Sequence, residues 1–218
     1  MQPHLLHDYC ERTGDPSLWA EPLNAVTNLA FIFAAWRIVN LVRSLHWRDV
    51  PDMYALIFLL CGIGMGSGAW HIYPTSTTLM MDVLPITLFI YGYLAAFLRR
   101  LWGMQWRNIF IALALMLGSN IIFTDLFPPD TLYGTIFYLP TYIILSSITA
   151  LGYSTHTPWA KPLLHTVFLW TCSLIMRTLD KPLCDILPHG THFIWHMVNA
   201  WVLYRLLRIL AHTKITQL

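Results

Sequence analysis

Seven apolar stretches, at residues 24–42, 54–70, 78–98, 109–127, 132–151, 162–176 and 193–210, have roughly the length of a membrane span. About 20 apolar residues let a helix cross the hydrocarbon core of a bilayer, and within that core the backbone must satisfy its own hydrogen bonds. Only 11% of the 218 residues are charged and 56% are hydrophobic, whereas about 25% are charged in an ordinary soluble domain. A water-soluble globule of this composition would lack the polar surface to cover itself. The stretches therefore predict an all-α membrane protein, a seven-transmembrane helix bundle forming one domain over residues 1–218, with 1–23 as an N-terminal segment. The sixth stretch is short and the fourth and fifth are close-set, which leaves six helices as the alternative. Breakers such as "YPTST", "FPPD" and "THTPWAKP" fit short loops between them. The net charge of +2 is small and scattered, so no nucleic-acid partner is expected. The opening residues, "MQPHLLHDYCERTGDP", lack the basic-then-apolar order of a cleavable signal, and insertion is expected to rely on the first internal helix.

The basic residues predict an orientation. Arg37, Arg43, Arg48, Arg99, Arg100, Arg107, Lys161, Arg205, Arg208 and Lys214 fall in the first, third and fifth loops, the adjoining helix ends and the C-terminus. The N-terminus and the even-numbered loops hold only Arg12, Arg177 and Lys181. Because basic residues accumulate on the cytoplasmic side, the bias of ten against three places the N-terminus outside the cytoplasm and the C-terminus inside. An odd number of spans requires the same arrangement.

Near the start of the last stretch, "THFIWHMVNA" spaces His192 and His196 four apart. Such residues lie about 40° apart around a helix and share a face, so two imidazoles can reach one metal ion. In arbitrary proteins such pairs are more often packing or surface residues, but an ionisable group inside a membrane marks function by default. A second stretch, "GIGMGSGAWHIYPTSTTLMMDVLPI", puts His71 at the end of the second helix and Asp82 near the start of the third. With the orientation above, His71, Asp82, His192 and His196 meet at one membrane depth on the extracytoplasmic side.

Three histidines with an open fourth position describe a catalytic zinc site rather than a structural one. Such a metal lowers the pKa of bound water to about 7 and polarises a carbonyl. Asp82 suits the proton transfer; its bland alternative is a carboxylate capping the third helix. Ser67, one turn before His71 on the same face, suits stabilisation of an oxyanion, or else serves beside Gly64, Gly66 and Gly68 as a small residue for close helix packing. His189, between Pro188 and Gly190, is expected in a loop.

The only two glutamates, Glu11 and Glu21, join Asp8 and Asp15 before the first helix in "DYCERTGDPSLWAE". Carboxylates interspersed with loop carbonyls suit a hard cation such as calcium, although the spacing alone favours a solvated acidic loop and is no EF-hand. Cys10 and Cys184 lie on the outer side, where an oxidising compartment permits a disulfide between them. Cys61 and Cys172, within helices, are more simply small core residues. Arg177 and Asp180, three apart, are expected to pair at the outer ends of the helices.

Together, "DYCE" followed by "WAEPLNAVTN", "GMGSGAWH" with "DVLPI" eleven after the histidine, "RTLDKPLC" and "GTHFIWHMVNA" resemble the alkaline ceramidase family. That family belongs to a wider group of seven-helix membrane hydrolases that includes the adiponectin receptors, and the matching motifs span nearly the full chain. The resemblance implies an intramembrane zinc and hydrolysis of a ceramide-like amide, drawn from the bilayer, to a sphingoid base and a fatty acid. By position it implies His71, His192 and His196 as zinc ligands, and Asp82 and Ser67 as the catalytic pair. It also implies a calcium site on Asp8, Tyr9 (through its carbonyl), Glu11, Thr13 and Glu21, and the disulfide between Cys10 and Cys184. Tyr9 stands where the family often has tryptophan, Thr13 where it has asparagine, and the spacing to Glu21 is one residue shorter. Two rival readings remain: a lipid-sensing receptor with a structural zinc, which the short inner loops disfavour, and a transporter or proton channel. The channel would spread ionisable groups through the bilayer, whereas here they gather at one end.

Overall fold

The computed structural model describes residues 9–46 and 50–212; Asp8, Arg48 and Lys214 lie outside them. Among the described residues the chain is all helical, without strands. Each expected stretch except the fifth is helical to within a few residues. The first span, Pro22–Ser44, divides at Asn28 into α1 (Pro22–Thr27) and α2 (Leu29–Ser44). Then follow α3 (Pro51–Ile72), α4 (Ser76–Arg100) and α5 (Trp106–Leu126). The fifth stretch opens as a 3-10 turn, Thr131–Tyr138, in which Leu132, Tyr133 and Gly134 take left-handed φ of 52°, 52° and 77°, before α6 (Leu139–Ser154) begins. The sixth, expected to be short, is the 20-residue α7 (Ala160–Leu179), and α8 (His192–His212) closes the bundle.

Six of these segments, all except α8, are long and apolar enough to cross a membrane, as in a multi-pass membrane protein. Their exposed surface is apolar: Phe110, Leu115, Ile122 and Leu126 of α5 all face outward. In water that would be an extended hydrophobic patch; in a bilayer it is the lipid-facing side. The 21-residue α8 falls short in apolarity because His192, His196, Asn199, Arg205 and Arg208 interrupt it. It packs against α1, α2, α3, α4 and α7, so His192, His196 and Asn199 are buried in protein.

Helix ends are held by local chemistry. Thr75 caps α4 by accepting from the Thr78 amide, and Thr78 reciprocates by accepting from the Thr75 amide, a capping box in function. At the far end of the bundle the Arg100 guanidinium makes a two-pronged ion pair with Asp52, Nε to Oδ2 at 2.5 Å. At the near end the Cys10–Cys184 disulfide ties the N-terminal segment to the loop before α8, across 174 residues. A cross-link over so long a loop restricts the unfolded chain, with a typical worth of about 2–4 kcal/mol. The Cys10→Ser/Cys184→Ser double variant is therefore expected to melt several degrees lower in detergent; an unchanged Tm would show that the strap is held without it.

Candidate metal centre

The last turn of α3, the first two turns of α8 and the strap of residues 9–21 converge on one buried cluster. His71, His192 and His196 are all buried, and one ring nitrogen from each lies within 4.8 Å of the others. Their ring centroids stand 4.7–5.2 Å apart. Glu21 Oε2 lies 2.5 Å from His71 Nδ1, and Thr27 Oγ1 lies 3.1 Å from His196 Nδ1. Because the Thr27 hydroxyl donates to the Leu23 carbonyl at 2.6 Å, its oxygen is left to accept from the His196 Nδ1–H. That leaves Nε2 of His196 as a buried atom without a hydrogen-bond partner, and Nδ1 of His192 is another. Orphaned buried nitrogens are costly in a folded protein. With one ring nitrogen of each histidine within 4.8 Å of the others, the cluster fits a metal ion, and an all-imidazole donor set is compatible with zinc. A carboxylate behind a metal-ligating histidine, as Glu21 stands behind His71, is the usual supporting arrangement.

Rings close the cluster. Tyr9 lies 4.9 Å from His71 and 4.1 Å from His192, and Trp195 lies 4.9 and 5.0 Å from His192 and His196. Trp70 is buried as well. His189 is an exposed turn residue, as its Pro and Gly neighbours suggest.

Asp82 sits in the second turn of α4, and the capping of that helix belongs to Thr75. The bland alternative for Asp82 is thereby removed. Ser67, itself buried, and His71 are both close enough to interact with its carboxylate; Oδ1 is buried without a partner. Gly66 is what brings the two helices so close. A Cβ at that position would stand 1.8 Å from the Met81 carbonyl oxygen and 3.0 Å from the Asp82 amide.

Two expectations change. Arg177 and Asp180 do not pair with each other. Arg177 donates to the Tyr133 carbonyl (2.7 Å) and Thr135 Oγ1 (3.1 Å), tying down the 3-10 turn. Asp180 is buried and accepts the amides of Thr191 (2.6 Å) and His192 (2.8 Å) on Oδ1 and of Cys10 (3.1 Å) on Oδ2. It thus satisfies the free amides at the start of α8, fixes where His192 begins and anchors the strap. Gly190 (φ +60°) makes room, since a Cβ there would lie 2.0 Å from Asp180 Oδ1.

Asp8 lies outside the described residues, and the described members of the expected calcium set are engaged within the protein. Glu11 accepts the Leu23 and Asn24 amides at 2.7 and 2.9 Å, capping α1, whose first residue is a proline without an amide hydrogen. Thr13 donates its hydroxyl to the Cys10 carbonyl, and the Tyr9 carbonyl accepts the Thr13 amide at 3.2 Å. Glu21 is held by Arg12, at 2.6 Å from Nε, by Asn24 at 3.0 Å and by His71. Burial acts to raise its pKa, but these partners, His71 foremost, hold the carboxyl below its ordinary value. Among the described residues only the three histidines form a metal-binding group.

The sequence had marked all three histidines, Asp82, Ser67 and both cysteines; it missed Arg12, Thr27 and Asp180. The one visible signal for Arg12 was a lone basic residue amid acids on the side poor in basic residues. In comparisons with known proteins, the chain matches no family model and no curated protein.

Proposed function

We propose that the protein is a seven-spanning membrane hydrolase that uses zinc on His71, His192 and His196 to cleave a linear lipid amide of the ceramide type. The observation that carries this reading is the buried cluster of three imidazoles, one ring nitrogen of each within 4.8 Å of the others, in which His192 and His196 each keep a nitrogen without a hydrogen-bond partner. The stretches that resemble the alkaline ceramidases supply the substrate class. The bias of basic residues supports an extracytoplasmic N-terminus and site.

Zinc at these histidines would supply Lewis acidity for the acyl carbonyl and for water. The protein's own groups do the rest. Asp82 accepts the proton of the attacking water and passes it to the leaving amine, so water and amide become fatty acid and free amine. The Ser67 hydroxyl donates to the oxygen that gains charge as the carbonyl is attacked. Glu21 and Thr27 hold the rings of His71 and His196 in orientation. Beginning one residue beyond Asp82, a cavity of about 300 Å³ between α4, α5 and α6 is lined by Val83, Thr87, Ile90, Ile136 and Phe137 among others, and suits an acyl chain.

Metal content tests the site. His196→Ala is expected to lose both the zinc retained on purification and hydrolysis of an N-acyl sphingoid base, while His189→Ala, at the exposed turn, keeps both. Full zinc or full turnover in His196→Ala would overturn the assignment.

A further inference from the structure

We infer that Arg12 is the built-in cation of the N-terminal strap: its guanidinium takes the place of a divalent ion and, through Glu21, positions His71. Arg12 is only 2% exposed although it lies in a polar loop. Four of its N–H directions end on oxygen. Nε donates to Glu21 Oε1 (2.6 Å), one terminal nitrogen to the carbonyls of Asp15 (2.9 Å) and Ser17 (3.0 Å), and the other to the carbonyl of His71 (3.0 Å). One carboxylate and three carbonyls, drawn from the strap and from the end of α3, make the kind of oxygen cage that binds a hard cation. Here the cation is covalently part of the chain. The same guanidinium occupies one of the last-turn carbonyls of α3, where a positive charge also meets the negative end of the helix dipole.

Arg12 and His71 share Glu21. Oε1 of the carboxylate faces Arg12 Nε, and Oε2 faces His71 Nδ1 at 2.5 Å. The guanidinium therefore fixes the carboxylate on one side and the backbone of His71 on the other. The planar fork matters, because a lysine ammonium cannot reach four oxygens in fixed directions. Arg12 is thus a positioning residue, and a metal at the histidines gains from it without touching it. The positioning half of this inference rests on the metal centre proposed above; independence from calcium does not.

The two halves are separable in purified protein. First, wild-type Tm in detergent is expected to be the same, within about 1 °C, in excess calcium or in a calcium-selective chelator. Calcium-dependent stabilisation of several degrees would overturn the inference. Second, Arg12→Lys and Arg12→Ala are expected to weaken zinc about tenfold or more in competition with a chromogenic chelator, the range for loss of a group supporting a ligand. They should also shift the visible spectrum of the cobalt-substituted protein, Arg12→Lys less than Arg12→Ala. Asp52→Asn, which breaks the ion pair at the far end of the bundle, serves as the control. It should lower Tm and leave the cobalt spectrum and zinc affinity as in wild type. Wild-type zinc affinity and spectrum in Arg12→Lys would refute the positioning role, and should Arg12→Ala fail to fold, the lysine variant and the calcium comparison still decide. If no metal binds even the wild type at the histidines, the metal centre itself fails, while the calcium result stands separately.

Discussion

Asp82→Asn is expected to lower lipid amide hydrolysis by about 10²–10⁴-fold, the usual contribution of a positioned general acid–base group, and to leave zinc content and Tm near wild type. Asparagine has the same shape but cannot take a proton from water or return one to an amine. The expectation follows from where Asp82 stands. It does not cap its helix, Ser67 and His71 lie close enough to interact with its carboxylate, and Oδ1 is buried with no partner. A carboxylate kept for structure alone would be expected to have both oxygens satisfied. Initial rates on an N-acyl sphingoid base, with metal content measured on the same preparation, make the check. Turnover within about threefold of wild type would remove Asp82 from the chemistry.

Gly66→Val is expected to destabilise the protein by about 3 kcal/mol, the upper end of ordinary overpacking, and to depress turnover with it. The atoms that a side chain would meet are the carbonyl oxygen and carbon of Met81, at 1.8 and 2.4 Å from the first added carbon. These are backbone atoms, so α3 and α4 must separate or the chain must bend, and either movement shifts Asp82 relative to His71. Gly118 on α5 is the matched control, because nothing lies within 4 Å of a Cβ there. Gly118→Ala should instead gain up to about 1 kcal/mol from helix propensity. Thermal melts of both variants in the same detergent decide the matter; a Gly66→Val melt like wild type would mean that the helices are not so closely apposed.

The helices were readable because long apolar runs in a chain this poor in charge have few alternatives, and apart from the start of the fifth the structure moves their ends by only a few residues. His71, His192, His196 and Asp82 stood out because an ionisable group is expensive in an apolar run, and the bias of basic residues put them at one depth. The rest of the site depends on contacts between segments far apart in sequence. Asp180 caps α8 from the end of α7, Arg12 reaches the end of α3 from the strap, and Glu11 caps α1 from 12 residues away. Nothing in local spacing announces such contacts. The expected Arg177–Asp180 pair shows the limit: two opposite charges three apart suggest an ion pair, but each finds better hydrogen-bond partners in the folded chain. The acidic strap is a second case: its spacing suggests a solvated loop, yet Glu11 and Glu21 are engaged by backbone amides, Arg12, Asn24 and His71.

The most direct measurement is of fatty acid released from an N-acyl sphingoid base by the purified protein, followed by mass spectrometry before and after the metal is stripped with a strong chelator and zinc is restored. The predicted result is release of fatty acid and free base in equal amounts, loss of that activity on stripping, and its return with zinc but not with calcium. Release that continues unchanged after the metal is gone, or a zinc-loaded protein that binds the lipid and never cleaves it, would contradict the account.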